Sequence, residues 1–109
     1  MTAKRKETCE EQLRSMCKNI ADDISNDSHD GGISGASRWM EGVYNVRYIV
    51  DSEKKYLGAM LMVAGSGPTI WVNTWTKEVE GSWWGDKCTH HFRDEIGLDD
   101  YNEEMYNCI

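Results

Sequence analysis

The first apolar residues of the chain, Cys9, Leu13, Met16, Cys17, Ile20 and Ile24, are spaced by threes and fours with polar and charged residues between them. At 3.6 residues per turn these positions share one face, so the spacing predicts an amphipathic helix from Glu7 to Ser25. Ser25 to Gly32 is dense in Ser, Asn, Asp and Gly, which compete with helical hydrogen bonding or supply left-handed conformations, and reads as a loop. Ser34 to Met40 then forms a short helical turn that presents Trp39 and Met40 inward and stops at Gly42.

From Val43 the period changes to two. Tyr44, Val46, Tyr48 and Val50 alternate with Asn45 and Arg47, the pattern of a strand with one wet face. After the polar turn Asp51 to Lys55, the run Tyr56 to Ala64 is apolar on both faces, which predicts a central strand covered in part on both sides. Gly65-Ser66-Gly67-Pro68 makes the next turn, and Thr69 to Trp75 and Glu78 to Trp84 complete a four-stranded antiparallel meander. The register of this last hairpin decides which aromatics face outward. A two-residue loop at Thr76 and Lys77 buries Ile70, Val72, Val79 and Trp83 and leaves Trp71, Asn73, Trp75, Glu78, Glu80 and Trp84 on the other face; a three-residue loop reverses the pairing. Grouping of the polar residues favours the first, in the absence of an Asn-Gly or Asp-Gly signal. Lys87 to Arg93 reads as a helical turn ending at Gly97. Asp99 is then the N-cap of a C-terminal helix whose apolar stripe is Tyr101, Met105 and Cys108. The expected product is one α+β domain over residues 1–109, a four-stranded antiparallel meander sheet packed by an N-terminal and a C-terminal helix.

Five tryptophans and five tyrosines in 109 residues supply the bulk for such a core. The longest apolar run is too short to span a bilayer, and the opening Met-Thr-Ala-Lys-Arg-Lys leads into Glu-Thr-Cys-Glu-Glu rather than an apolar signal segment, so neither export nor membrane insertion is expected. Cys9 and Cys17, eight apart on one helix, are separated by roughly 12 Å and cannot bridge each other. Free thiols are the simpler reading, with a bridge from Cys88 to Cys108 the alternative.

The net charge of −7 is unevenly placed. Asp22, Asp23, Asp27 and Asp30 form one acidic run, and Asp94, Glu95, Asp99, Asp100, Glu103 and Glu104 a second, neither interrupted by a base. Such a surface repels nucleic acid and anionic lipid and attracts basic proteins, although acids also serve as a solvated face and, in a first helical turn, complement the helix dipole.

Catalytic signals are weak. Cys88, His90 and His91, with Cys108 and His29 as distant candidates, lack the paired spacing by which zinc ligands converge, so no metal or cofactor is expected. A Cys88–His29 nucleophile pair lacks a visible orienting group, and Gly65-Ser66-Gly67-Pro68-Thr69 lacks the lysine of a phosphate-binding loop. Scattered basic residues argue against direct nucleic-acid binding. Trp71, Trp75, Trp83 and Trp84 fall within one hairpin, more than one sheet face can bury. An exposed subset rimmed by Glu78 and Glu80 would make a contact patch of the kind tryptophan anchors at protein interfaces.

The segments Gly67-Pro68-Thr69-Ile70-Trp71-Val72-Asn73-Thr74 and Glu78-Val79-Glu80-Gly81-Ser82-Trp83-Trp84-Gly85-Asp86, with the preceding Tyr56-Leu57-Gly58-Ala59 and the acidic helix to Cys108, resemble small accessory proteins of phages and conjugative elements in gut Firmicutes. That group includes anti-CRISPR and anti-restriction proteins. The resemblance implies a compact, acidic, non-enzymatic inhibitor acting in the cytoplasm of a bacterial host cell, its partner a basic nucleic-acid-binding protein such as a CRISPR effector. The expected contact residues are Asp94, Glu95, Asp99, Asp100, Glu103 and Glu104 with Trp71, Trp75, Glu78, Glu80 and Trp84. The alternatives are an immunity protein or antitoxin against a basic nuclease toxin, and a small zinc- or thiol-dependent enzyme using Cys88, His90 and His91.

Overall fold

The structure, a computed structural model, describes residues 9–26, 33–65 and 67–108. Of the expected loop Ser25 to Gly32, Ser25 and Asn26 continue α1 instead, and Asp27 to Gly32, with His29, lie outside the described residues, as do Glu7 and Thr8 of the expected first helix. The elements run α1 (Cys9–Asn26), α2 (Ile33–Met40), β1 (Asn45–Val50), β2 (Tyr56–Ala64), β3 (Thr69–Asn73), β4 (Glu78–Trp83), β5 (Asp86–His91) and α3 (Leu98–Asn107). The strands form one antiparallel sheet in the order β1-β2-β3-β4-β5. The class is α+β, with five strands where four were expected. The extra strand is β5, in the segment read as a helical turn. Trp84 and Gly85, at φ 52° and 87°, fold back in the two-residue, positive-φ turn that suits a hairpin, and Trp83 then pairs with Asp86. As an edge strand facing water on most of its surface, β5 carries little of the apolar alternation that reveals a strand.

The β3–β4 hairpin pairs Trp71 with Glu80 and Asn73 with Glu78, so its loop is the four residues Thr74 to Lys77 and not the expected two. A slip of two residues preserves facing. Ile70, Val72 and Val79 are accordingly fully buried, and Trp71, Glu78 and Glu80 share the opposite face. Asn73 stabilises the longer loop by accepting from the backbone N–H of Trp75 at 2.9 Å and of Thr76 at 3.0 Å.

The helices gather on the face of Ala59, Leu61, Val72, Val79 and Gly81. Leu13, Cys17 and Ile24 of the α1 stripe are buried, and α1 packs on β4 and β5. It comes close because Gly81 has no side chain: a Cβ there would stand 2.6 Å from Cys17 Sγ and 2.9 Å from Leu13 Cδ1. The connector after β5 buries Phe92 and Ile96 and delivers α3 to the other half of the same face, against β2. There Tyr106 lies 5.2 Å from Tyr48 and 5.8 Å from Tyr56 between ring centroids, and its hydroxyl donates to Lys54 O at 2.6 Å. The buried residues of α3 are Leu98 and Asn102; Met105 and Cys108 of the expected stripe are exposed. Among the described residues no helix covers the second sheet face, where Met60 and Met62 of β2 are only half-buried. None of the described helices is long and apolar enough to cross a membrane.

Gly81→Ala should lower unfolding free energy by about 1–3 kcal/mol in urea melts, because α1 must lift to admit the methyl group. Gly42→Ala, whose Cβ would meet nothing closer than Trp39 O at 3.8 Å, should stay within about 0.5 kcal/mol of the parent.

Candidate protein-binding site

The acidic run around the start of α3 divides by role. Asp94 accepts from the backbone N–H of Leu98 at 2.7 Å and of Asp99 at 2.9 Å, satisfying two of the free donors that begin every helix. It does the capping expected of Asp99. Asp99 turns inward instead, where its Oδ1 accepts from Tyr56 Oη at 2.9 Å and Thr74 Oγ1 at 2.8 Å and ties α3 to β2 and the β3–β4 loop. Burial pushes the Tyr56 phenol well above its usual range, and the nearby Asp99 and Glu103 carboxylates add to this against the opposing Thr74 hydroxyl.

Glu95, Asp100, Glu103 and Glu104 are exposed. Asp94, Glu95, Asp100 and Glu104 line a cleft of about 300 Å³ with Ala36, Ile96, Gly97 and Tyr101, so carboxylates from the connector and α3 ring a partly apolar floor that α2 helps to build. Among the described residues no Lys, Arg or His lines it. Ala36, Ile96 and Tyr101 are the members sequence reasoning missed; Ile96 and Tyr101 flank Gly97 in an apolar spacing, but the approach of α2 leaves no local signal.

The aromatic candidates do not join this cleft. Trp71 lies half-buried on the helix-free sheet face with the Arg47 guanidinium 5.1 Å from its ring centroid, the spacing of a cation–π contact. Glu80, beside Trp71, accepts weakly from Asn73 Nδ2 at 3.4 Å, and Glu78 lies 3.3 Å from His91 Nε2. Trp75 is 55% exposed in the β3–β4 loop, its backbone pressed on Gly58, where a Cβ would fall 2.5 Å from its own. Trp84, 82% exposed, sits in the β4–β5 turn at the opposite end of the hairpin, one strand length or roughly 20 Å away. Trp83 packs against the core. The expected contact residues therefore occupy separate places: Asp94, Glu95, Asp100 and Glu104 at the acidic cleft, Glu103 exposed on α3 outside it, Asp99 turned inward, and the others on the open sheet face with its flanking loop or in the Trp84 turn.

Cys88 lies beside Cys17, with 3.0 Å between the sulfurs, and not beside Cys108, which is exposed at the end of α3. His90 and His91 are both exposed and, as neighbours on a strand, point to opposite faces. No group of three metal-ligating side chains forms among the described residues. No family model, curated protein or solved structure matches the chain.

Trp84→Asn should raise unfolding free energy by about 0.5–1 kcal/mol, since asparagine tolerates positive φ and little Trp84 packing is lost. A fall in urea midpoint would show that the indole is held by contacts within the chain. Burial, aided by the Cys88 hydrogen bond and charge, pushes the Cys17 thiol from 9.0 up to about 12. The unfolded chain thus loses this proton first, and stability should fall as pH rises across that window. Urea midpoints at successive alkaline pH values should show a shallower decline for Cys17→Ala than for the parent.

Proposed function

We propose that the chain is a non-enzymatic, stoichiometric inhibitor that binds a basic, nucleic-acid-handling protein through the acidic cleft at the start of α3. The exposed carboxylates of Glu95, Asp100 and Glu104, set around a cleft with an apolar floor and, among the described residues, no basic lining residue, carry the proposal. A lysine or arginine side chain matches both features, its aliphatic stem against Ile96 and Tyr101 and its charged head among the acids. Channels that hold nucleic acid present many such side chains to phosphates, and clustered carboxylates compete for them. The net charge of −7 adds long-range attraction for the same partners. A CRISPR effector in a bacterial host cell, the target class implied by the resemblance of the hairpin and C-terminal helix to phage and conjugative-element accessory proteins, has a channel of this kind.

The fold separates acids that can be changed safely from those that cannot. A combined Glu95→Lys, Asp100→Lys, Glu103→Lys and Glu104→Lys variant spares Asp94 and Asp99, and should keep its circular dichroism spectrum. From a nuclease-treated bacterial lysate the parent chain should capture a basic nucleic-acid-binding protein, released by about 0.5 M salt as screening shortens the reach of the charges. The variant should capture none of it. Equal capture by the two proteins would reject the acidic cleft as the binding site.

A further inference from the structure

On the sheet half covered by α1 lies a second cleft of opposite charge. Arg14, Ser15 and Lys18 of α1 and Lys87, Cys88, Thr89 and His90 of β5 line an open hollow of about 490 Å³. Lys18 pairs with Asp22 at 2.8 Å in a largely exposed contact that solvent screens. In a chain of net charge −7, this is a local concentration of base with a thiol in its wall. Behind that thiol is another. Cys17 is 1% exposed and does not line the cleft, and its sulfur lies 3.0 Å from that of Cys88. Gly81, the register partner of Cys88 on β4, leaves the space that the Cys17 sulfur occupies. A disulfide requires the two sulfurs to close by only about 1 Å.

We propose that Cys88 and Cys17 form a thiol–disulfide exchange pair, Cys88 the entry thiol and Cys17 the resolving thiol, and that their substrate is a small anionic disulfide of the glutathione class. The basic rim draws carboxylate-bearing molecules toward Cys88. In the first step the Cys88 sulfur, giving up its proton, attacks one sulfur of the small disulfide; the old S–S bond breaks, and one small thiol leaves carrying a proton. In the second, Cys17 attacks the Cys88 sulfur of the mixed disulfide, and the second small thiol departs with the Cys17 proton. Two protein thiols are oxidised by two electrons and one small disulfide is reduced to two thiols, with no other reactant. The product ties α1 covalently to β5. This assignment is independent of the acidic cleft.

Treating the native chain with glutathione disulfide, then alkylating and mapping peptides by mass spectrometry, tests the pair. The expected product is a Cys17–Cys88 cross-link, two hydrogens lighter than the reduced chain. Cys17→Ser should accumulate one glutathione on Cys88, and Cys88→Ser should leave Cys17 unmodified. Exposed Cys108 reports in the same sample that the reagent is active. Modified Cys108 alongside free Cys17 and Cys88 in the parent chain would overturn the proposal, whatever the variants do. At low salt, Lys18→Glu with Lys87→Glu should slow reaction of Cys88 with glutathione disulfide roughly tenfold and leave its reaction with neutral 2-hydroxyethyl disulfide unchanged. Equal rates with glutathione disulfide in parent and variant would overturn the anionic substrate class.

Discussion

The close seat of α1 on β4 organises the molecule. A meander has a face to bury, and helix side chains normally hold a helix at a distance set by the side chains between them. At Gly81 one of those side chains is missing, so Leu13 and Cys17 reach the backbone of the sheet. That contact fixes α1 over the C-terminal strands and leaves the cover of β1 and β2 to the rest of the chain. The connector after β5 answers this by crossing back with Phe92 and Ile96 buried, and α3 settles on β2. Both clefts follow from the arrangement: the basic one lies in the seam between α1 and β5, and the acidic one where the returning connector meets α2 and α3.

The acids around α3 show how one charged segment divides between bonds inside the fold and a solvent-facing surface. Asp94 and Asp99 are spent inside the fold, one on free backbone donors and the other on two hydroxyls from the sheet side. Glu95 of the connector and Asp100, Glu103 and Glu104 of α3 are left in solvent. An acidic stretch read along the sequence looks uniform. In three dimensions it is an anchored base with a charged outer surface, and only the outer part is open to a partner.

Periodicity made much of the fold legible. The spacing of Leu13, Cys17 and Ile24 located the buried face of α1, and the alternation around Ile70, Val72 and Val79 located the buried face of the hairpin even though its loop is two residues longer than expected. β5 escaped because an edge strand of Asp86, Lys87 and histidines has no hydrophobic alternation to show, and because the turn before it places a tryptophan where asparagine or glycine would have signalled a hairpin. The missing strand concealed the site chemistry as well. Without β5 there is no register between Cys88 and Gly81, and nothing in the spacing of Cys17 and Cys88 suggests that their sulfurs meet. The acids were found as a run; their division into inner and outer groups depends on Tyr56 and Thr74, far away in the chain.

The docking of α1 also sets a timetable for the protein's birth. Its partners β4 and β5 end at His91, long after α1 ends at Asn26. At ribosomal speeds of about 5–20 residues per second, the helix waits roughly 3–13 s between its own synthesis and that of the surface that buries Leu13, Cys17 and Ile24. During that interval its apolar stripe is exposed on a nascent chain. The stripe is therefore apolar surface of the kind that chaperones bind and that aggregates, on offer before the sheet it packs against has been made.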